Sequence, residues 1–324
     1  MGSPRSVNAA RTLDASPRVS IGMPVYNAEL FIGETVASIL AQTFVDFEVI
    51  ISDNASTDGT EKVCLALTDD DPRIRYVRNR ENMGAAYNYN QTFHLSTGAY
   101  FKWACHDDLL LPEFLERCVA ELDRDPSVVL AYTDWAPIDE DGKPLDPPES
   151  RYPAWRADSP DPVERTRYVF RMERRPPSAV YGVFRADVLA RTGLYRPTHG
   201  GDHIIMAEIA LYGPVREVPE RLFLNRWHSR SGSKIPTFQE RSDWWLPVSR
   251  RGRLGRFGRG PIGALVLFSL TMLQTLKAQI GSIRRGPLSF AQKVRCYVQL
   301  PLWFWGEFWR RLEPRIPERL GGRK

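Results

Sequence analysis

The stretch Tyr100-Phe-Lys-Trp-Ala-Cys-His-Asp-Asp-Leu-Leu-Leu-Pro112 decides how this chain is read. Tyr100 to Cys105 is short, apolar and aromatic, with Gly98 just before it, which is the pattern of a buried strand. It runs into His106, Asp107 and Asp108. Adjacent carboxylates at the mouth of a strand repel each other unless a cation sits beside them. A divalent metal, bridging oxygen ligands to substrate phosphates, would neutralise the pair. Asp is also a favoured N-cap, so the same residues would serve simply to start the next helix. The stretch alone leaves both readings open.

Working outward, strands alternate with helices. Val19 to Met23 is an apolar run that stops at Pro24, and Pro24-Val-Tyr-Asn27 is the loop after it. Ala28 to Gln42 carries Leu30, Phe31, Val36, Ile39 and Leu40 at helical spacing. Phe47 to Ser52 reads as a second strand ending in Asp53-Asn-Ala-Ser-Thr-Asp-Gly59, dense in cap and turn residues, before a helix from Thr60 to Leu67. Ile74 to Val77 is a third strand, and Asn82 opens a helix to about Ser96. Beyond the central stretch come a helix from Pro112 to Leu122 and a strand from Val128 to Tyr132. Asp69 to Asp71 is acidic, but Pro72 follows at once, so it reads as a solvated turn. This alternation implies an α/β fold with a mostly parallel sheet. Ligands of such sheets bind outside the carboxyl ends of the strands. Pro24 to Asn27, Asp53 to Ser56 and His106 to Asp108 all lie there, a convergence that capping alone does not explain.

At 324 residues, with 43% hydrophobic and 26% charged residues, the chain is long and apolar enough for a sizeable core. Its four cysteines show no paired spacing, which argues against a disulfide framework or a zinc site and fits a reducing compartment. Residues 1–17 lack an apolar core, so no secretory signal and a disordered N-terminus are expected. Net charge is +5, yet from Arg250 onward there are 16 Lys and Arg against 3 Asp and Glu, so the part before it is net acidic. A basic tail on an acidic body suggests an anionic partner.

The ordered motifs resemble the family 2 inverting glycosyltransferases, which have the GT-A fold. The pieces that carry the resemblance are Val19-Ser-Ile-Gly-Met-Pro-Val-Tyr-Asn27, Ser52-Asp-Asn-Ala-Ser-Thr-Asp-Gly-Thr60, Asn82-Met-Gly84 with Asn90, and His106-Asp-Asp108 with Pro112. Gly201-Asp202 and Arg226-Trp-His228 follow the same order further on. The resemblance implies a GT-A domain over residues 18–233. Its nucleotide-sugar half covers about 18–134 and its acceptor half about 135–233. It implies that Pro24 and Tyr26 pack on the nucleobase, that Asp53 accepts a hydrogen bond from the base edge, and that Asn27, Ser56, Gly84, Asn90 and His106 line the donor pocket. Asp107 falls on the second carboxylate of the family's Asp-x-Asp motif and would hold Mg²⁺ or Mn²⁺ against the donor diphosphate. Asp202 falls where the family keeps its catalytic base.

Two positions depart from the family pattern. Cys105 replaces the first carboxylate of Asp-x-Asp, and Tyr89 stands where Arg often precedes Asn90. Asp108 or His228 would then complete the metal shell, imidazole suiting Mn²⁺ better than Mg²⁺. His94 and His199 read as structural or surface residues. The chemistry implied is transfer of a sugar from a nucleoside diphosphate, of which the uridine form is the family's commonest, to an acceptor hydroxyl. Two alternatives are a non-catalytic nucleotide-sugar-binding scaffold, which Cys105 would suit, and a sugar-phosphate nucleotidyltransferase. The second is disfavoured because Pro24 to Asn27 has neither the Gly nor the Arg of that class's phosphate loop.

Between Trp135 and Pro177 the chain is rich in Pro, Asp and Arg; Asp139-Glu-Asp-Gly142 reads as a hairpin turn, Pro162 to Met172 as a helix and Ser178 to Phe184 as a strand-like run. Residues 234–324 read as a basic, amphipathic helical region. Gly260 to Leu276 is uncharged and reaches roughly 25 Å, short of the ~30 Å hydrocarbon core of a bilayer. Trp303, Trp305 and Trp309 beside arginine clusters suit an anionic membrane surface. The expected location is therefore cytoplasmic, peripheral on the inner face of the cell membrane, next to a lipid-linked or glycan acceptor. Packing of these helices on the catalytic domain is the competing reading. No nucleic-acid recognition motif is present.

Overall fold

A computed structural model describes residues 16–146, 157–170, 177–198, 200–230, 244–246 and 261–312. The strands are β1 (Val19–Val25), β2 (Phe47–Asp53), β3 (Ile74–Arg78), β4 (Tyr100–Trp103), β5 (Leu109–Leu110), β6 (Leu130–Ile138), β7 (Val183–Arg185) and β8 (Val215–Arg226). They form one sheet in the order β3-β2-β1-β4-β7-β6-β8-β5. β1 to β4 are mutually parallel, β7 is antiparallel to both neighbours, and β8 is parallel to β6 but antiparallel to β5. Every residue of β1 and β2 is buried, as expected of central strands covered on both faces.

The helices are α1 (Ile32–Leu40), α2 (Thr60–Asp70), α3 (Ala85–His94), α4 (Phe114–Arg124), α5 (Pro162–Phe170), α6 (Ala186–Leu189), α7 (Gly201–Tyr212), α8 (Pro261–Arg285) and α9 (Phe290–Leu312). One core cluster joins Ile32, Val36 and Ile39 of α1 and Phe114, Cys118 and Leu122 of α4 to β1 and β2. The other gathers Phe101, Trp103 and Phe184 of the sheet with Tyr89 of α3 and the apolar side of α7. Met272 and Ile283 of α8 and Cys296 and Leu300 of α9 belong to this second cluster. The C-terminal helices are thus part of the core beside α5 and α7. No helix among the described residues is long and apolar enough to cross a membrane.

Several boundaries differ from expectation for physical reasons. β1 runs through Pro24 to Val25 instead of stopping at Met23. Gly22 O accepts from Ala104 N, so Pro24, two residues on, turns its nitrogen to the same side, beyond the last residue of β4. Its missing N–H costs no ladder bond there. α1 begins at Ile32 and not Ala28, because Asn27 is left-handed (φ 53°) and the chain first makes a turn in which Phe31 N and Ile32 N donate to Ala28 O. β4 ends at Trp103, which leaves Ala104 and Cys105 in the loop. Ser178 to Phe184 is mostly a 3-10 turn (Pro177–Tyr181) with only its end in β7. The turn at Asp139 is present: Asp139 Oδ1 accepts from Asp141 N and Lys143 N, and Gly142 sits at φ 79°. β8 has no counterpart in the sequence expectations. Most of residues 1–17 and 234–260 lie outside the described residues, as does His199, and of Trp303, Trp305 and Trp309 only the helical backbone is described.

Candidate active site

The carboxyl ends of β1, β2 and β4 and the loops that follow them form one polar floor. Asn54 N donates to Val25 O at 2.9 Å and ties the loop after β2 to the end of β1. Asn27 tolerates its left-handed backbone because its short side chain bonds locally. Its N–H donates to Ser56 Oγ at 2.9 Å, and its Oδ1 accepts from Thr57 N at 2.9 Å. The Ser56 hydroxyl in turn donates to Asp53 Oδ1 at 2.6 Å. Asp53 is fully buried, and both oxygens are saturated. Oδ1 accepts from Ser56 N at 2.8 Å and from Ser56 Oγ at 2.6 Å, and Oδ2 accepts from Tyr76 Oη and Arg78 Nη1 at 2.6 Å. A nucleobase edge can reach Asp53 only by displacing one of these donors. The Ser56 hydroxyl can rotate away, whereas Arg78 is also held by its bond to Ser56 O.

A cluster of asparagines, none foreseen as a group, braces the same floor. Asn54 Oδ1 accepts from Met83 N and Asn79 Nδ2, and its amide donates to Asn82 Oδ1. Asn82 Oδ1 also takes Gly84 N, which holds Gly84 at φ 82°, where a side chain would be strained, at the mouth of α3. Buried Asn88 donates to Ser52 O and Val25 O. Pro24 is buried and Tyr26 is 39% exposed, so an aromatic face stays open at the edge of this floor. Asn90 is used differently: its amide grips both backbone groups of Tyr195, at 3.0 and 2.9 Å. It positions the loop ahead of α7 and does not point its amide into the donor floor.

The loop after β4 brings Cys105, Asp107 and Asp108 together, with ligand atoms within 4.8 Å of one another. Asp107 Oδ2 meets His228 Nε2 at 2.9 Å. Asp108 Oδ1 accepts from Asn225 Nδ2 and from Arg226 N, both at 2.9 Å. Arg226, whose side chain is fully buried, spans the site: Nε donates to Asp107 O, Nη1 to Glu140 O, and Nη2 to Glu34 Oε2 at 2.6 Å. Its guanidinium lies over Phe31, whose ring in turn packs on His228. His106 contributes its carbonyl, which accepts from Thr35 Oγ1. Asn225, Arg226 and Glu34 are therefore structural partners of the motif. Of these, only Arg226 sat in a recognised motif.

The electrostatics mark a local deficit of positive charge. Burial and the neighbouring Asp107 charge push the Asp108 carboxyl up to about 8. Burial also acts to raise Asp107, but the hydrogen bond from His228 and the charges of His106 and His228 outweigh it and hold that carboxyl below its ordinary range. Burial, then Asp107 and Asp108, hold the Cys105 thiol well above the usual value. Behind the motif, Lys102 is fully buried on β4 and pushed down to about 8 by desolvation. Its Nζ donates to Trp103 O and Tyr181 O and lies 4.6 Å from the centre of the Phe114 ring. A divalent cation fits this donor set. The donor atoms close enough to share one ion are those of Cys105, Asp107 and Asp108.

Asp202 lies in the first turn of α7, where Gly200, at φ 80°, turns the chain into the helix. Asp202 Oδ1 accepts from His203 N at 2.9 Å. His94 closes α3, and Asp71 pairs with Arg73 in the turn after α2.

Residues 20–186 match glycosyl transferase family 2. This chain belongs to that family. Chondroitin synthase of Escherichia coli is 36% identical over 131 residues, 40% of this chain and 19% of that protein. The putative teichuronic acid biosynthesis glycosyltransferase TuaG of Bacillus subtilis is 35% identical over 130 residues, 40% of this chain and 51% of that protein. This family 2 glycosyltransferase thus spans only about a fifth to a half of these relatives. Among solved structures, Staphylococcus aureus TarS 1-349 in complex with UDP-GlcNAc superposes with a TM-score of 0.56 at 15% identity, covering 91% of this chain and 92% of that one. The mannosyltransferase PcManGT from Pyrobaculum calidifontis, in complex with GDP-Man and Mn²⁺, gives 0.53 at 18% identity, covering 93% and 88%. These likenesses show the GT-A fold.

Proposed function

We propose that this family 2 glycosyltransferase moves a sugar from a uridine diphosphate donor to an acceptor hydroxyl, by direct displacement with inversion at the anomeric carbon. The observation that carries the reading is the pair Asp107 and Asp108 at the carboxyl end of β4, beside the floor built by the loops after β1 and β2. Tyr26 and Pro24 receive the nucleobase, and Asn27, Ser56 and Gly84 shape the pocket around the nucleotide. Asp53 organises that pocket and meets the base only as Ser56 turns aside. Asp107, completed by Asp108 and with Cys105 and His228 at hand, would hold Mn²⁺ or Mg²⁺, which when bound neutralises the charge that develops on the departing diphosphate. Arg226 holds the Asp107 carbonyl with its guanidinium and the Asp108 carboxyl with its backbone N–H, and so positions the pair toward the donor. Asp202 takes the acceptor proton as the hydroxyl attacks. TarS, crystallised with UDP-GlcNAc, supports the choice of base. The chondroitin and teichuronic acid relatives support a cell-envelope or related glycan as acceptor.

Thermal-shift measurements with Mn²⁺ and each nucleoside diphosphate test this directly, because a ligand that binds only the folded state raises its apparent stability. Uridine diphosphate is expected to give the largest shift. Absence of a shift with every nucleoside diphosphate would reject the donor assignment. Cys105 in place of a carboxylate favours the second reading, a binding scaffold without turnover. Slow hydrolysis of the donor in the presence of Mn²⁺ separates the two, since an enzyme leaks and a scaffold does not.

A further inference from the structure

The loop ahead of α7 and the face of α8 turned toward it enclose a pocket of about 360 Å³. Among the described residues three cations line it, Arg196, Lys277 and Arg285, and no carboxylate does. Arg285 is partly compensated, because its guanidinium bonds the fully buried Glu208, which also takes Gly193 N. Arg196 and Lys277 have no ion-pair partner among the described residues. Two buried polar atoms of its lining residues have no hydrogen-bond partner among the described residues: Thr198 Oγ1, in a residue only 7% exposed, and Arg196 Nε. Leaving a buried polar group unsatisfied costs about 1–3 kcal/mol, and folded proteins keep few of them. The pocket also sits at the amino end of α7, where Thr198 O accepts from Gly201 N and the helix dipole adds the same sign of field.

We propose that this pocket binds the phosphate or diphosphate group of a phosphate-bearing acceptor. The cations supply charge, and the Thr198 hydroxyl and Arg196 Nε–H supply directed donors. Its lining residue Thr198 lies four residues ahead of Asp202, the base proposed above. The inference rests on the reading of α7 as the acceptor side, but its test needs no turnover. α8 thereby acquires a part in binding, in addition to packing on α7.

Calorimetric titration of inorganic pyrophosphate into the full chain, in the presence of EDTA so that the donor's metal site stays unloaded, is the test. One saturable site is expected, weakened by about tenfold in Arg196→Ala and in Lys277→Ala. Thr198→Val keeps the side-chain shape, removes the hydroxyl, and should also weaken binding; it covers the case in which a charge variant fails to fold. Asp107→Ala should bind pyrophosphate as the wild type does. No saturable binding by the wild type, or equal affinity in all three pocket variants, would overturn the proposal. So would loss of binding in Asp107→Ala alone, which would place the pyrophosphate in the donor site. Flotation with phosphatidylcholine vesicles, with and without phosphatidic acid, separates the sources. Recruitment by phosphatidic acid that Lys277→Ala abolishes supports a lipid-borne phosphate. Pyrophosphate binding without recruitment supports a soluble phosphate-bearing acceptor.

Discussion

Asp202 and Lys102 differ in how their roles can be measured. Asp202 is half-buried at the start of a rigid helix, and its proposed work is to accept one proton. Asp202→Asn keeps the shape and the hydrogen bond at the helix start but removes the base. Donor binding should stay near normal while kcat falls by roughly 10²-fold or more, the usual scale for a positioned proton acceptor. A variant that keeps more than about a third of wild-type kcat contradicts the role. Lys102 is a stability question. Its folded-state value of about 8 lies below the 10.5 of a free lysine, so between these pH values the unfolded chain binds more protons. Stability therefore rises with pH across that window, as the buried ammonium's penalty is relieved, by up to the order of 3 kcal/mol at about 1.4 kcal/mol per pH unit. Urea denaturation of wild type and Lys102→Met from pH 7 to 10.5 reads this as a difference, which cancels other alkaline groups. Parallel curves would contradict the buried charge.

At the scale of elements, β1 to β4 and their loops were legible because apolar runs stop at clusters of Asp, Asn, Ser and Gly. β8 was not. Its sequence holds Pro219 and several charges, and its burial follows no alternation. The reason lies in pairing: the register jumps from Thr133↔Val218 to Asp134↔Arg221, so Pro219 sits in an irregularity where its missing N–H is harmless. The Asp107–Asp108 pair was legible from its place after a strand. Its support was not, because Glu34 and Arg226 lie 192 positions apart and only the folded sheet joins them. Lys102 was also hidden, as a single charge inside an otherwise apolar run. For α8 and α9 the sequence pointed to the membrane more than to packing. The structure buries Cys296 together with Met272, Ile283 and Leu300, the last three each worth about 1.5–3 kcal/mol if fully removed from water. Truncation before Arg250 should therefore lower the urea midpoint sharply or leave the domain insoluble. An unchanged midpoint would show that these helices do not stabilise the catalytic half.

Across the whole molecule, packing and membrane contact are compatible. Leu270, Leu273 and Ile280 of α8 and Val294 and Val298 of α9 are exposed, as are Arg284 and Arg295 of the same two helices. Exposed apolar side chains with basic residues on the same helices are what an interfacial helix requires. Our proposal that the enzyme works peripherally on the inner face of the membrane is tested by flotation with anionic vesicles. Binding should persist in part at high salt, because the apolar contact is not screened. A protein that stays unbound at low salt contradicts it. The central claim remains that Asp107 holds the donor's diphosphate through a divalent cation at the end of β4. Calorimetric titration of uridine diphosphate with Mn²⁺ into wild type and Asp107→Ala tests it most directly. The account expects tight, Mn²⁺-dependent binding that Asp107→Ala loses and Asp108→Ala loses to a smaller extent. Unchanged affinity and unchanged Mn²⁺ dependence in Asp107→Ala would contradict it.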